Sequence, residues 1–155
     1  MKWKRKQYSR RWLKENQSAV IDSAPTSSFW REQDAHIKTG IVYDKAVMLS
    51  TGNTANVSEK GLLPNNKLSA KARELEVLPE LKHDSLLSVC KLSDAGYTTV
   101  FHCGDGGVYV HCTDNIVSNV KMVAILQGWR DESGLLRVLI EDNVENNNTD
   151  TLLIE

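Results

Sequence analysis

Short apolar runs rich in β-branched residues recur along the chain, separated by Gly, Asp, Asn and Ser. This rhythm confines the chain to a fold built mainly of strands. The sharpest instance pairs Thr98-Thr99-Val100-Phe101 with Val108-Tyr109-Val110 around Gly104-Asp105-Gly106-Gly107, a hairpin signal. Ala19-Val20-Ile21 leads into Asp22, and Gly40-Ile41-Val42-Tyr43 and Ala46-Val47-Met48-Leu49 flank Asp44-Lys45. Leu75, Val77 and Leu78 partly alternate, and Val120 to Leu126 and Leu135 to Ile140 are further apolar runs. The even spacing predicts an all-β domain. One stretch differs: Ser85 to Gly96 starts as a buried strand and then turns helical, with Ser88 as cap and Gly96 as stop, so one short helix is expected there.

Charge divides the chain into three. Met1 to Gln17 carries Lys2, Lys4, Arg5, Lys6, Arg10, Arg11 and Lys14 against Glu15 alone, whereas Glu141 to Glu155 holds acids and no bases. These blocks read as solvated tails, 1–17 and 141–155, around a domain at 18–140. Trp3, Tyr8 and Trp12 among the bases leave a second role open for the first tail, a weak RNA contact. The net charge of -1 gives the whole molecule no strong electrostatic bias. The cysteine count, 3, is odd and too low for a disulfide framework, which favours a reducing compartment. No apolar run approaches the roughly 20 residues a membrane span requires, so no membrane partner is expected.

Val20-Ile21-Asp22-Ser23-Ala24 carries the chemistry. An apolar strand delivers a carboxylate to a tight turn, followed by a hydroxyl residue and a small residue. Aspartic proteases bring two such carboxylates face to face, so that repulsion raises one pKa and the pair shares a proton. The ionised member activates water and the protonated member polarises the scissile carbonyl. Taken alone, the triplet reads more readily as an Asp ending a strand in an Asx turn.

Three segments in order resemble the retropepsin-like protease region of copia-type retrotransposon polyproteins, over about Ala19 to Val138. The family's D-[ST]-G-A-[TS]-S appears as Asp22-Ser23-Ala24-Pro25-Thr26-Ser27. A segment like "VPGLKHNLLSVGQLCDAG" appears as Leu78-Pro79-Glu80-Leu81-Lys82-His83-Asp84-Ser85-Leu86-Leu87-Ser88-Val89-Cys90-Lys91-Leu92-Ser93-Asp94-Ala95-Gly96. The family's G-x-R-D and G-L-W-x-V appear as Gly128-Trp129-Arg130-Asp131 and Gly134-Leu135-Leu136-Arg137-Val138. The resemblance implies a retropepsin-like closed β-barrel or sandwich with one short helix and a flap hairpin. It implies Asp22 as the catalytic carboxylate, with Ser23, Ala24 and Thr26 supporting its loop. Leu86, Leu87 and Ser88 are expected beside that loop, and the flap within Ser50 to Gly61, around Gly52, Asn53 and Thr54. One carboxylate per chain implies a homodimer. Its substrates would be peptide segments of its own polyprotein, cut in the cytoplasm within assembling particles, with water as the attacking group and no cofactor or metal.

Two positions depart from the pattern. The family's Gly-Ala is Ala24-Pro25, and Pro25 has no N–H to donate beside a carboxylate. A decayed copy, retained as a dimerisation or peptide-binding module, is therefore the alternative. Two further constellations compete. His102-Cys103 and His111-Cys112 lie on the two arms of one hairpin, but adjacent strand residues face opposite sides, so convergence on zinc is not expected. Cys90 with His83 suggests a cysteine nucleophile, yet Cys90 is expected on the apolar side of the short helix, where thiols are inert.

Overall fold

The computed structural model describes residues 17–49, 51–102, 107–117 and 124–140. The basic stretch 1–16 and the acidic 141–155 fall outside them, so neither the tail assignments nor the RNA contact is addressed; nor are Cys103 to Gly106 or the apolar Val120 to Val123.

The strands are β1 (Ser18–Asp22), β2 (Phe29–Trp30), β3 (Ile37–Met48), β4 (Thr54–Leu62), β5 (Glu74–Val77), β6 (Leu86–Ser88), β7 (Tyr97–Phe101), β8 (Val108–Cys112), β9 (Leu126–Arg130) and β10 (Leu136–Leu139). Three short helices interrupt them: α1 (Ala70–Arg73), α2 (Val89–Asp94) and α3 (Thr113–Val117). The expectation of a mainly β chain is met, and the helix after Ser88 forms as read. The Ser88 hydroxyl accepts from the Lys91 N–H, and Gly96 leaves the helix at φ +90. The other two helices correct the expectation of one. Ser69 caps α1 through the Ala72 N–H, and Ala-Lys-Ala-Arg is a strong helix-forming run whose shortness hid it among strands.

The strands join in the order β3-β4-β5-β2-β6-β1-β10-β9-β8-β7. No ladder among the described residues links β3 to β7, so the sheet is open at both ends rather than sealed by hydrogen bonds. Leu75 and Val77 of β5 belong to the same buried cluster as Val108 and Val110 of β8, together with Trp30, Leu87, Leu92 and Val138 from elements between them. A smaller cluster of Ala55, Val57 and Leu78 lies under the β3–β4 hairpin.

Asp44-Lys45 does not break the chain into two strands, as the sequence suggested. β3 runs on through it, and register shifts against β4 between Lys38 and Val42 and between Val42 and Lys45 absorb the irregularity. The β9–β10 hairpin explains the glycines of the third motif. A Cβ at Gly128 would overlap the Arg137 carbonyl oxygen and lie 2.6 Å from Val108 Cγ1, and Gly134 takes φ +87 in the turn.

Candidate functional site

β1 carries Asp22 at its C-terminal end because Ala19, Val20 and Ile21 are buried and hold the strand in the middle of the sheet. β6 lies parallel to it, with Val20 opposite Leu86, Ile21 opposite Leu87 and Asp22 opposite Ser88. The strand expected beside Asp22 is thus its direct neighbour, and α2 starts at the residue after it.

Asp22 is half-buried, and its Oδ1 accepts from the Ala24 N–H at 2.9 Å. Ser23, Ala24 and Thr26 are exposed. The bonds that brace the loop come from deeper residues. Ser88 is fully buried; its hydroxyl donates to the Pro25 carbonyl at 2.6 Å, and its N–H donates to the buried Ser28 hydroxyl at 3.1 Å. Ser88 therefore does two jobs: it caps α2 and ties β6 to the Asp22 loop.

Cys90 is exposed, which corrects its expected burial. Val89 and Leu92, three apart on α2, take the inward face, and Cys90 falls off it. Its thiol lies 3.7 Å from the Ser23 carbonyl oxygen. His83 is exposed and is not the partner of that thiol.

The β3–β4 hairpin turns at Leu49 to Asn53. The Leu49 N–H donates to the Asn53 carbonyl at 2.7 Å, Gly52 takes φ +85, and Thr54 opens β4. Gly52, Asn53 and Thr54 thus sit at the tip of the longest hairpin in the described sheet, while Ser50 lies outside the described residues. Ile41, Val42 and Met48 stand exposed along β3. Beside the hairpin base and the Asp22 loop, Ser27, Ser28, Lys60, Glu74, Glu76 and Lys91 line a small polar cleft of about 70 Å³. Ion pairs rim it, Lys91–Glu74 at 3.0 Å and Lys45–Glu76 at 3.1 Å. The cleft falls well short of the ~300 Å³ of an ordinary ligand pocket.

The His-Cys pairs do not converge. Thr98 faces His111 in the β7–β8 register, whereas the His102 N–H bonds to the Gly107 carbonyl at the far end of the hairpin. Four strand positions separate the two imidazoles, roughly 13 Å of β-strand. Among the described residues no three His, Cys, Asp or Glu side chains gather as a metal site.

Sequence reasoning did not single out a polar network at the start of β6, which draws on elements on both of its sides. Arg31 grips the buried Asp34 with two bonds, of 2.9 and 2.8 Å, and the buried Ser85 hydroxyl donates to Asp34 as well. Arg137 Nη2 donates to Asp84 at 2.6 Å and its Nε to Asp131 at 2.7 Å. Burial alone would push the Asp131 carboxyl up, but bonds from the Ser133 hydroxyl, the Arg137 guanidinium and the Leu135 amide outweigh it and hold it at about 2. The signal for this network is visible in the sequence: Arg137 is a lone charge inside an otherwise apolar strand, a position that demands partners.

Compared with models of known families, with curated proteins and with solved structures, the chain finds no match. Among the described residues no helix is long and apolar enough to cross a membrane.

Proposed function

We propose that this chain is an aspartic endopeptidase of the retropepsin type, active as a homodimer in which each copy contributes Asp22. The observation that carries the reading is the parallel pairing of β1 with β6, Asp22 opposite Ser88, followed at once by α2. It brings the first two resembling segments side by side, although 50 residues part them in the chain. The β9–β10 hairpin, which holds the third, pairs with β1 on its other side.

Asp22 in one chain has no second carboxylate to share its proton, so the chemistry requires a two-fold partner. In the dimer the exposed Ser23 and Ala24 face the other copy, and water held between the two Asp22 carboxylates attacks the scissile carbonyl. The β3–β4 hairpin serves as the flap, its exposed apolar residues covering an extended peptide bound through main-chain hydrogen bonds. The small cleft in the single chain accords with a peptide groove completed by the second copy. The retropepsin barrel, the parent polyprotein as substrate and action in the cytoplasm belong to this proposal.

One observation favours the alternative of a decayed copy acting as a dimerisation or peptide-binding module. Asp22 Oδ1 is engaged by Ala24 of its own loop, and Pro25 offers no further donor. One missing donor beside an ionised carboxylate costs about 1–3 kcal/mol. The two readings separate in a proteolysis assay at mildly acidic pH, with and without a statine-type inhibitor, paired with a solution size measurement. Inhibitable cleavage by a dimer supports the protease, whereas a dimer that binds peptide without cutting it supports the module.

A further inference from the structure

We infer that Arg31, Asp34, Asp84, Ser85, Arg137 and Asp131 act as a register lock for β6, and are thereby positioning residues for Asp22. This deepens the protease reading and rests on it for its catalytic meaning, but the lock itself is a structural statement that can be tested without activity.

β6 is short. Three residues, Leu86–Ser88, form this strand, and no tight turn connects it to β1, its parallel neighbour. So short a ladder supplies few hydrogen bonds to hold its register, and a slip of one position sends every side chain to the opposite face. A slip here would remove Ser88 from Pro25 and Ser28 and would drive the buried Leu87 out of the core. Burial of Leu87 opposes that slip, and bonds just before the strand add to it.

Both residues before β6 are anchored. The Ser85 carbonyl accepts from the Val20 N–H at 2.9 Å, and its hydroxyl accepts from the Arg31 N–H at 2.9 Å while donating to Asp34. One buried serine thus joins β1, the end of β2 and the start of β6. The neighbouring Asp84 is held by Arg137, whose Cα lies opposite Val20 in β10. Asp131 fixes the other edge of that guanidinium and is itself held by Ser133 and Leu135. The chain of contacts therefore runs from the β9–β10 turn across β1 to the start of β6. At the far end of the strand Ser88 passes the position on to the Asp22 loop. Planar guanidinium forks suit this task because each holds direction as well as distance.

The test uses the full chain and three substitutions, Arg137→Met, Arg137→Lys and Ser85→Ala, read by amide hydrogen exchange and by cleavage kinetics. Val20 and Ser88 N–H groups report the lock, and the Val100 and Tyr109 N–H groups, which pair across the β7–β8 hairpin, report stability away from it. Arg137→Met and Ser85→Ala are expected to speed exchange at Val20 and Ser88 about tenfold over any change at Val100 and Tyr109. Arg137→Lys, which keeps the charge but loses the fork, is expected to fall between Met and wild type. In an active wild type, kcat is expected to drop about tenfold with KM nearly unchanged. Exchange that stays at wild-type rates, or rises equally in both regions, overturns the lock. If the wild type does not cleave, the protease reading fails by itself, and the exchange pattern still decides the lock.

Discussion

The two sides of the Asp22 loop are built on opposite plans. On one side, β1, β6, β9 and β10 combine fully buried Leu87 and Val138 with carboxylate–guanidinium bonds that cross strands. On the other, the β3–β4 hairpin buries little beyond Ala55 and Val57, carries two register shifts, and exposes Ile41, Val42 and Met48. Firm packing and directional bonds hold a floor in one geometry, while a long hairpin with a small core beneath it opens at low cost. On the proposed reading, a site that admits an extended peptide and closes over it uses one element of each kind.

Substitutions can break this contrast, and the largest effects belong to the floor. Gly128→Val is expected to unfold the domain or lower its stability by about 3 kcal/mol or more, because the new side chain meets the Arg137 carbonyl and Val108; thermal denaturation measures it. Leu87→Ala empties a fully buried position and is expected to cost about 2–5 kcal/mol in urea unfolding. Next comes acid. The Asp131 carboxyl is held at about 2, below its usual 3.8, so its contribution is complete above about pH 5 and is lost as pH falls towards 2. Arg137→Met removes a main cause of that depression and is expected to flatten the stability profile between pH 4 and 2, read by denaturant midpoints across that range. Met48→Ser in the hairpin is expected to change stability by less than about 0.5 kcal/mol, since Met48 is 76% exposed. A hairpin substitution that cost as much as Leu87→Ala would erase the contrast.

The same contrast runs through what the sequence made legible. The hairpin at Thr98 to Val110, the strand ending at Asp22 and the Ser88 cap with its Gly96 stop were readable because turn chemistry and local pattern specify them. The pairing of β1 with β6 depends on residues far apart in sequence, so periodicity was silent on it and the resemblance to a known family alone suggested it. The continuity of β3 through Asp44-Lys45 was hidden because Lys45 finds its partner on β5, at Glu76. Cys90 was misplaced because a six-residue helix has too few positions for its buried face to be read from composition. The polar network was only half legible: Arg137 stands out in an apolar strand, but its partner Asp84, and Asp34 and Ser85, look like surface residues until the strands bring them together.

The contribution of Asp22 is most directly measured by comparing peptide cleavage at mildly acidic pH by the wild-type chain and by Asp22→Asn, with melting temperatures recorded for both. If Asp22 is the catalytic carboxylate, cleavage disappears in Asp22→Asn while melting temperature and dimer mass stay at wild-type values. Cleavage that persists undiminished in Asp22→Asn would contradict that role.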